Sequence, residues 1–330
     1  YAKMLAEQGT DPSPPWGGNS DHAYKRRGQI TAQVVDRFAD YAIGGIGFEF
    51  GHDHLRHLSD PSVSAFPPSL SDDGFDREYR HKVATLLPPQ LARLLSFDFA
   101  TKAQAVDLLR VDGVAGGRHA TVDFGGVEAG VSLHTIRVAD RAYAMREAHG
   151  RWPDRLLEIG GGHGRFVRDV ARCSPETRIF YSDLPLNLLL TARYLSRMFP
   201  GEVNLVWTDA DSLDPSVRIN IVAPWRLDSL PSGIDLFANF LSCQHMRAEN
   251  HAYYADILFR KDVRSIFHMN REKAIAIGEI DLSDYPWWAY FSIGTSEISG
   301  TIDARSRTSS GPSEESRSFG IARQYLLRTR

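Results

Sequence analysis

The sequence predicts an α/β fold: a mostly parallel, seven-stranded sheet covered by helices over residues 150–330, preceded by a mainly helical part over residues 1–149. Two observations predict it. Beyond residue 150, short apolar runs alternate with helical periodicities, the pattern of β–α–β units whose sheet is covered on both faces. Before residue 150, apolar residues recur at helical spacing between polar loops. The strands read in order as RLLEIGG (155–161), RIFYSDLP (178–185), VNLVWTD (203–209), IDLFANFLS (234–242) and SIFHMN (265–270). Helices follow at GRFVRDVAR (164–172), LNLLLTARYLSRMF (186–199) and MRAENHAYYADILF (246–259). WWAYFSIG (287–294) and RQYLLRTR (323–330) supply two late strands, and the polar segment ARSRTSSGPSEESRS (304–318) between them reads as a surface loop. VRINIVAPWRL (217–227) is a further strand-like segment outside this set of seven. In the N-terminal part, GQITAQVVDRFADYAI (28–43) and TLLPPQLARLLSFDFATKAQAVDLL (85–109) carry helical patterns. RVADRAYAMREAHG (137–150) reads as a helix closed by Gly150.

Composition bounds the partners. A chain of 330 residues with 42% hydrophobic content supports one large domain or two unequal ones. A formal net charge of −3 argues against a broad nucleic-acid surface. The most apolar stretch, LPLNLLLTARYL, is too short and too polar for a membrane span. Cys173 and Cys243 stand apart without CxxC spacing, which argues against a disulfide scaffold or a thiolate zinc site and fits a reducing cytoplasm. No signal peptide is legible, and the chain begins at Tyr1 rather than Met. Six of the 38 basic residues are Lys and the rest Arg, the bias of a GC-rich coding sequence.

Chemistry concentrates at LLEIGGGHGRFVRDVAR (156–172), a strand that ends in glycines and opens a helix. Without Cβ atoms, the backbone N–H groups of such a turn can approach a ligand closely. A dinucleotide fingerprint needs G-x-G-x-x-G. Counted from Gly160 and Gly162, the third position is Arg165, and the fingerprint fails. Asp183 ends the second strand, where a carboxylate can accept both hydroxyls of a ribose. Dinucleotide enzymes place an acid there too, so Asp183 does not discriminate. Blander readings stand beside these: a tight turn without a ligand, and Asp183 as a helix N-cap before Leu186.

Glu158 stands two residues before Gly160-Gly161-Gly162-His163-Gly164. This arrangement resembles the first motif of class I S-adenosylmethionine (SAM)-dependent methyltransferases, which are Rossmann-like. The resemblance implies SAM as cofactor, with the glycine turn under its methionine part and the acid indirectly supporting its ammonium group. YSDLPLNLLLTARYL (181–195), with its Asp183-Leu184-Pro185, is similar to a family of sugar O-methyltransferases. IDLFANFLSCQHM (234–246) resembles the same family's fourth-strand block, in which Asn239 is followed by S-x-x-E-M. His245 stands where that family has Glu. RQYLLRTR is similar to its closing strand. The resemblance spans about residues 150–330 and implies methyl transfer to a sugar-bearing small molecule, a glycoside or amino sugar. The Arg-rich composition and the acidic segment SDDGFDREY (71–79) point toward antibiotic-type natural products, which makes amino-sugar N-methylation, as in aminoglycoside biosynthesis, a rival to O-methylation.

The remaining candidates follow from strand ends. His245, beyond the fourth strand, is the expected general base, since imidazole titrates near neutral pH, and Gln244 stands beside it. A solvated histidine at a helix start reads equally well. Asn239 and Asn270 can orient acceptor or cofactor. Asp209 and Ala210, in TDADSL after the third strand, are expected at the adenine, with Pro224 and Trp225 as an alternative wall or simply core. Trp287 and Trp288 offer faces for sugar stacking, or packing. His52, Asp53, His54 and His57 lack helical H-E-x-x-H spacing, and no metal is expected. Two other classes remain open: an NAD-dependent sugar oxidoreductase and a non-catalytic cofactor-binding subunit.

Overall fold

The computed structural model describes residues 101–110, 120–131, 133–274, 279–298 and 322–329, with scattered positions between 81 and 96. The predicted helix over 28–43, the cluster at His52, the acidic segment at 71–79 and the loop at 304–318 lie outside the described residues. Helix α1 (Lys102–Leu109) opens on a capping box: the Thr101 hydroxyl accepts from the Gln104 amide N–H, and the Gln104 side chain accepts from Thr101 N. A hairpin of β1 (Ala120–Asp123) and β2 (Glu128–Val131) leads into α2 (Leu133–His149). Gly150 follows α2 with φ +89° and donates back to Arg146 O, the helix-closing role expected for it.

The sheet then builds from β3 (Arg155–Ile159), β4 (Arg178–Ser182), β5 (Val203–Val206), β6 (Ile219–Val222), β7 (Leu236–Phe240), β8 (Ser265–Arg271), β9 (Phe291–Ile298) and β10 (Ala322–Thr329). Helices α3 (Arg165–Cys173), α4 (Pro185–Met198) and α5 (Ala248–Arg260) follow β3, β4 and β7. Strand order is β5-β6-β4-β3-β7-β8-β10-β9; the first six are mutually parallel, and β10 runs antiparallel to both its neighbours. A parallel sheet needs both faces covered. Accordingly, one apolar cluster joins Leu156, Phe166, Val170, Tyr181 and Leu188, and another joins Leu157, Phe180, Phe237, Ile257 and Trp287.

The sheet has eight strands, not the predicted seven. The extra one is β6, from the segment set aside at 217–227. All four of its residues are buried, whereas three of the four in β5 are half-buried. Burial on both faces therefore puts β6 in the interior, against β4, and moves β5 to the edge. The order reverses at β3, which has β4 on one side and β7 on the other. In open α/β sheets the crevice beyond the strand carboxyl ends at such a switch is where ligands bind.

Helix α3, which begins at the glycine turn, is tied to the N-terminal part by arginines. Arg165 donates to Leu108 O and to Arg110 O (3.0 Å), which receive no α-helical partner at the end of α1. Arg168 donates to Asp107 O (3.0 Å) and, inside the protein, to Asp169 Oδ1 (2.8 Å). Arg168 and Asp169 are both fully buried, and Arg165 Nε lies 3.2 Å from the same Asp169 oxygen, so truncating Arg168 removes one of two cations that compensate a buried carboxylate. Arg168→Ala should cost about 3–5 kcal/mol of stability, read by urea denaturation; a change under about 1 kcal/mol would refute this account of the junction.

Candidate functional site

The turn after β3 can be rebuilt residue by residue. Gly160 has φ +76°, and a Cβ there would lie 1.9 Å from Ser242 Oγ, so both the conformation and the approach of the β7 loop require glycine. Its N–H donates to Ser182 O (2.8 Å). Gly162 N donates to Asp183 Oδ2 (2.6 Å), while Gly162 O accepts from Tyr181 (2.6 Å) and Thr191 (2.7 Å). Gly164 is the N-cap of α3.

Under this bend lies Glu158. A Cβ on Gly161 would fall 2.3 Å from its carboxyl carbon, so only glycine lets the carboxylate reach the turn. Glu158 is 1% exposed, and its Oε2 is buried without a hydrogen-bond partner. Burial raises its pKa well above the ordinary range, the nearby Asp183 charge adds to this, and Arg141 opposes it. Arg141, from α2, stands with its guanidinium carbon 5.4 Å from the Phe240 ring centre at the end of β7.

Asp183 is also buried and has four partners. Oδ2 accepts from Gly162 N and Tyr181 Oη; Oδ1 accepts from Leu184 N (2.6 Å) and Asn187 Nδ2 (2.9 Å). Those four bonds fill the acceptor sites of a carboxylate, and in this arrangement Asp183 closes the glycine turn. Its pKa is nonetheless raised by burial, with these hydrogen bonds pulling the other way. Leu184, not Asp183, occupies the N-cap of α4.

From the turn a buried amide chain crosses to the next strands. Asn239 donates to Ile159 O (2.7 Å) and accepts from Asn270 (3.0 Å), whose Oδ1 accepts from Gln244 N (3.2 Å). Gln244 Oε1 accepts from Arg271 N (2.9 Å). Its amide nitrogen lies 3.1 Å from Nε2 of the half-exposed His245, whose Nδ1 faces Glu279 (3.1 Å). Glu279 also pairs with Arg271 (3.2 Å). Burial lowers the His245 pKa below its ordinary value, and Glu279 partly offsets this. Leu241, between β7 and this loop, has φ +58°, a left-handed conformation that costs a branched side chain about 1–3 kcal/mol.

Glu158, the four glycines, Asp183, Leu184 and Asn239 therefore gather around one turn, and Gln244 and His245 are joined to it on the β7 side through Asn270. Three expectations meet a setting that the sequence did not show. Asp209 and Ala210 follow the edge strand β5, not the strand beside β4; Asp209 is an exposed partner of Arg226, and Ala210 lines an open groove with Asp211 and Leu213. The strand beside β4 leads instead into Ala223, Pro224 and Trp225, where Trp225 packs edge-on against Trp207 at 4.9 Å. Trp287 is fully buried against Phe237, Tyr285 and His268, and offers a sugar no face. Trp288 is half-buried, its indole N–H donating to Leu282 O (2.7 Å). Asn270 is fully buried and spends its side chain on Asn239 and Gln244, which makes it a positioning group. Sequence reasoning missed Tyr181, Thr191, Ser242, Arg141 and Glu279. A tyrosine or threonine within an apolar run carries no signal for such a role, and Arg141 lies upstream of the recognised region.

Among the described residues, no group of three or more His, Cys, Asp or Glu is placed to hold a metal ion, and no helix is long and apolar enough to cross a membrane. No family model matches the chain, and no curated protein does. Among solved structures, it is similar to magnesium protoporphyrin IX methyltransferase from Synechocystis PCC 6803 with bound SAM, at 16% identity and a TM-score of 0.39, over 59% of this chain and 79% of that one. It is also similar to the mitomycin 7-O-methyltransferase MmcR, at 12% identity and a TM-score of 0.38, over 60% of this chain and 55% of that one. The pyocyanin biosynthetic protein PhzM matches at 12% identity and a TM-score of 0.37, over 59% of this chain and 56% of that one.

The Glu158 environment predicts a pH signature. An acid whose folded pKa is raised costs nothing below its unfolded pKa of about 4.3 and costs progressively more stability as pH rises above it. Glu158→Gln should therefore match the parent near pH 4 and be increasingly more stable toward pH 8, measured by denaturant unfolding across pH. A pH-independent difference would refute the burial argument.

Proposed function

We propose that this chain is a SAM-dependent methyltransferase whose acceptor is a hydroxyl or amino group on a sugar-bearing small molecule. One observation carries the cofactor reading: a fully buried carboxylate, Glu158, with an unpartnered oxygen beneath a bend that any Cβ would block. A cationic, amino-acid-bearing nucleoside compensates that charge. A pyrophosphate would add negative charge beside both Glu158 and Asp183. Arg165, which breaks the dinucleotide fingerprint, spends its guanidinium on the carbonyls of α1 and does not face an anion at the turn.

The residues present fit SAM. Glu158 and the bend at Gly160–Gly162 would hold its amino-acid end. Asp183 would take the ribose by exchanging the Tyr181 hydroxyl and the Asn187 amide, the two partners whose side chains can rotate away. Ala223, Pro224 and Trp225 would supply the adenine wall. When bound, SAM supplies an electrophilic methyl carbon. His245, poised neutral by partial burial, would take the acceptor proton. Glu279 would stabilise the imidazolium formed, provided the Gln244 amide yields the ring nitrogen it covers. The sugar acceptor rests on the likeness of residues 181–195 and 234–246 to sugar O-methyltransferases, and amino-sugar N-methylation is the form in which His245 matters least. The N-terminal part, to residue 149, would contribute the cap over the crevice.

Calorimetry with S-adenosylhomocysteine and with NADH tests this. The first should bind and the second should not; the reverse result sinks the proposal. Asp183→Ala should abolish S-adenosylhomocysteine binding. His245→Ala should preserve binding and lower kcat by about 10²–10⁴ for a hydroxyl acceptor. Unchanged turnover removes His245 as base and favours an amine acceptor.

A further inference from the structure

Beside Glu158 stands a second charge that the turn does not use. Arg141 is the residue of α2 whose guanidinium lies over the Phe240 ring, at the carboxyl end of β7, while Glu158 pairs in register with Ala238 two residues earlier on the same strand. Its Nε is buried without a partner, and among the described residues Arg141 makes no hydrogen bond or ion pair. Burial lowers its pKa to about 10, with the Arg137 charge acting in the same sense and Asp140 and Glu158 opposing. His134, two turns earlier on the same helix, contacts His163 of the glycine turn with ring centres 4.8 Å apart, so this face of α2 abuts the bend directly. A half-buried arginine with its Nε enclosed and a buried carboxylate that do not bond each other, both set near one glycine bend, form a template for a ligand carrying both signs of charge.

We infer that Arg141 binds the carboxylate of the cofactor's α-amino-acid end, while Glu158 faces its ammonium. The inference rests on the SAM reading and deepens it: the site selects a zwitterion, not merely a cation. Phe240 supports the planar guanidinium from beneath, which keeps its N–H edge turned toward the ligand. It also makes the N-terminal part a contributor to cofactor binding, because Arg141 precedes the glycine strand in the chain.

The test compares two ligands that differ only in that carboxylate: S-adenosylhomocysteine and its decarboxylated form, S-adenosyl-3-thiopropylamine. Both are titrated calorimetrically into the full chain and into Arg141→Met and Arg141→Lys. Loss of a charge-assisted contact should weaken S-adenosylhomocysteine by about 10- to 100-fold in Arg141→Met. The decarboxylated ligand should change by less than about twofold, and Arg141→Lys should lie between parent and Met for the carboxylate ligand alone. Because each variant is compared with itself on two ligands, a general loss of folding cannot imitate this pattern. Equal losses for both ligands, or none for S-adenosylhomocysteine, overturn the role of Arg141 and leave the cofactor reading intact. Failure of the parent chain to bind S-adenosylhomocysteine overturns the cofactor reading, and this inference with it.

Discussion

The constraint on which the rest of the structure depends is a carboxyl group buried under a bend of bare backbone. Glu158 sits in the second residue from the end of a central parallel strand, where neighbours on both sides and helices on both faces exclude water. Burying an ionised carboxylate without a partner is expensive, and the group responds by holding its proton. A fold maximising its own stability would place an apolar residue there. On the proposed reading a cationic ligand completes the arrangement, so the same carboxylate that weakens the empty fold would favour the occupied one.

Everything around that carboxylate serves to keep the bend in place. Tyr181 and Thr191 hold one carbonyl, Gly162 O, from the neighbouring strand and helix, and Asp183 holds the N–H of the same residue. Ser242 closes from the opposite side, on a loop whose entry at Leu241 is a left-handed residue. The amide chain through Asn239, Asn270 and Gln244 then fixes the β7 and β8 ends relative to the turn, so His245 and the glycine turn are parts of one hydrogen-bonded frame. Their relative placement is set by buried amides, which resist solvent screening and rotamer drift better than surface contacts do.

The acceptor side has a different physical character. His245 is half-exposed and backed by a buried Glu279–Arg271 pair, so the rigid part of that side lies behind the imidazole and the open part in front. Such a layout fixes where a proton can go more firmly than which acceptor presents it.

The sequence alone determined the local features. The alternation of strand and helix, the glycine bend with its preceding acid, the terminal acid of the second strand and the failure of the dinucleotide spacing are all short-range patterns, and the structure reproduces β3, α3, β4, α4, β7, α5 and β8 close to where periodicity put them. What only the tertiary structure decided was neighbourhood. The order of β5 and β6 follows from which strand is buried on both faces, a quantity no window of residues reports; that order places Asp209 after the edge strand and puts Pro224 and Trp225, the alternative wall, after the strand beside β4. Trp287 read either as a stacking face or as packing, and its burial against Phe237 and His268 is a matter of the fold. Arg141 came to the site across α2, upstream of any recognised motif, because a helix face pointing at a glycine turn is a property of the fold and not of its sequence spacing.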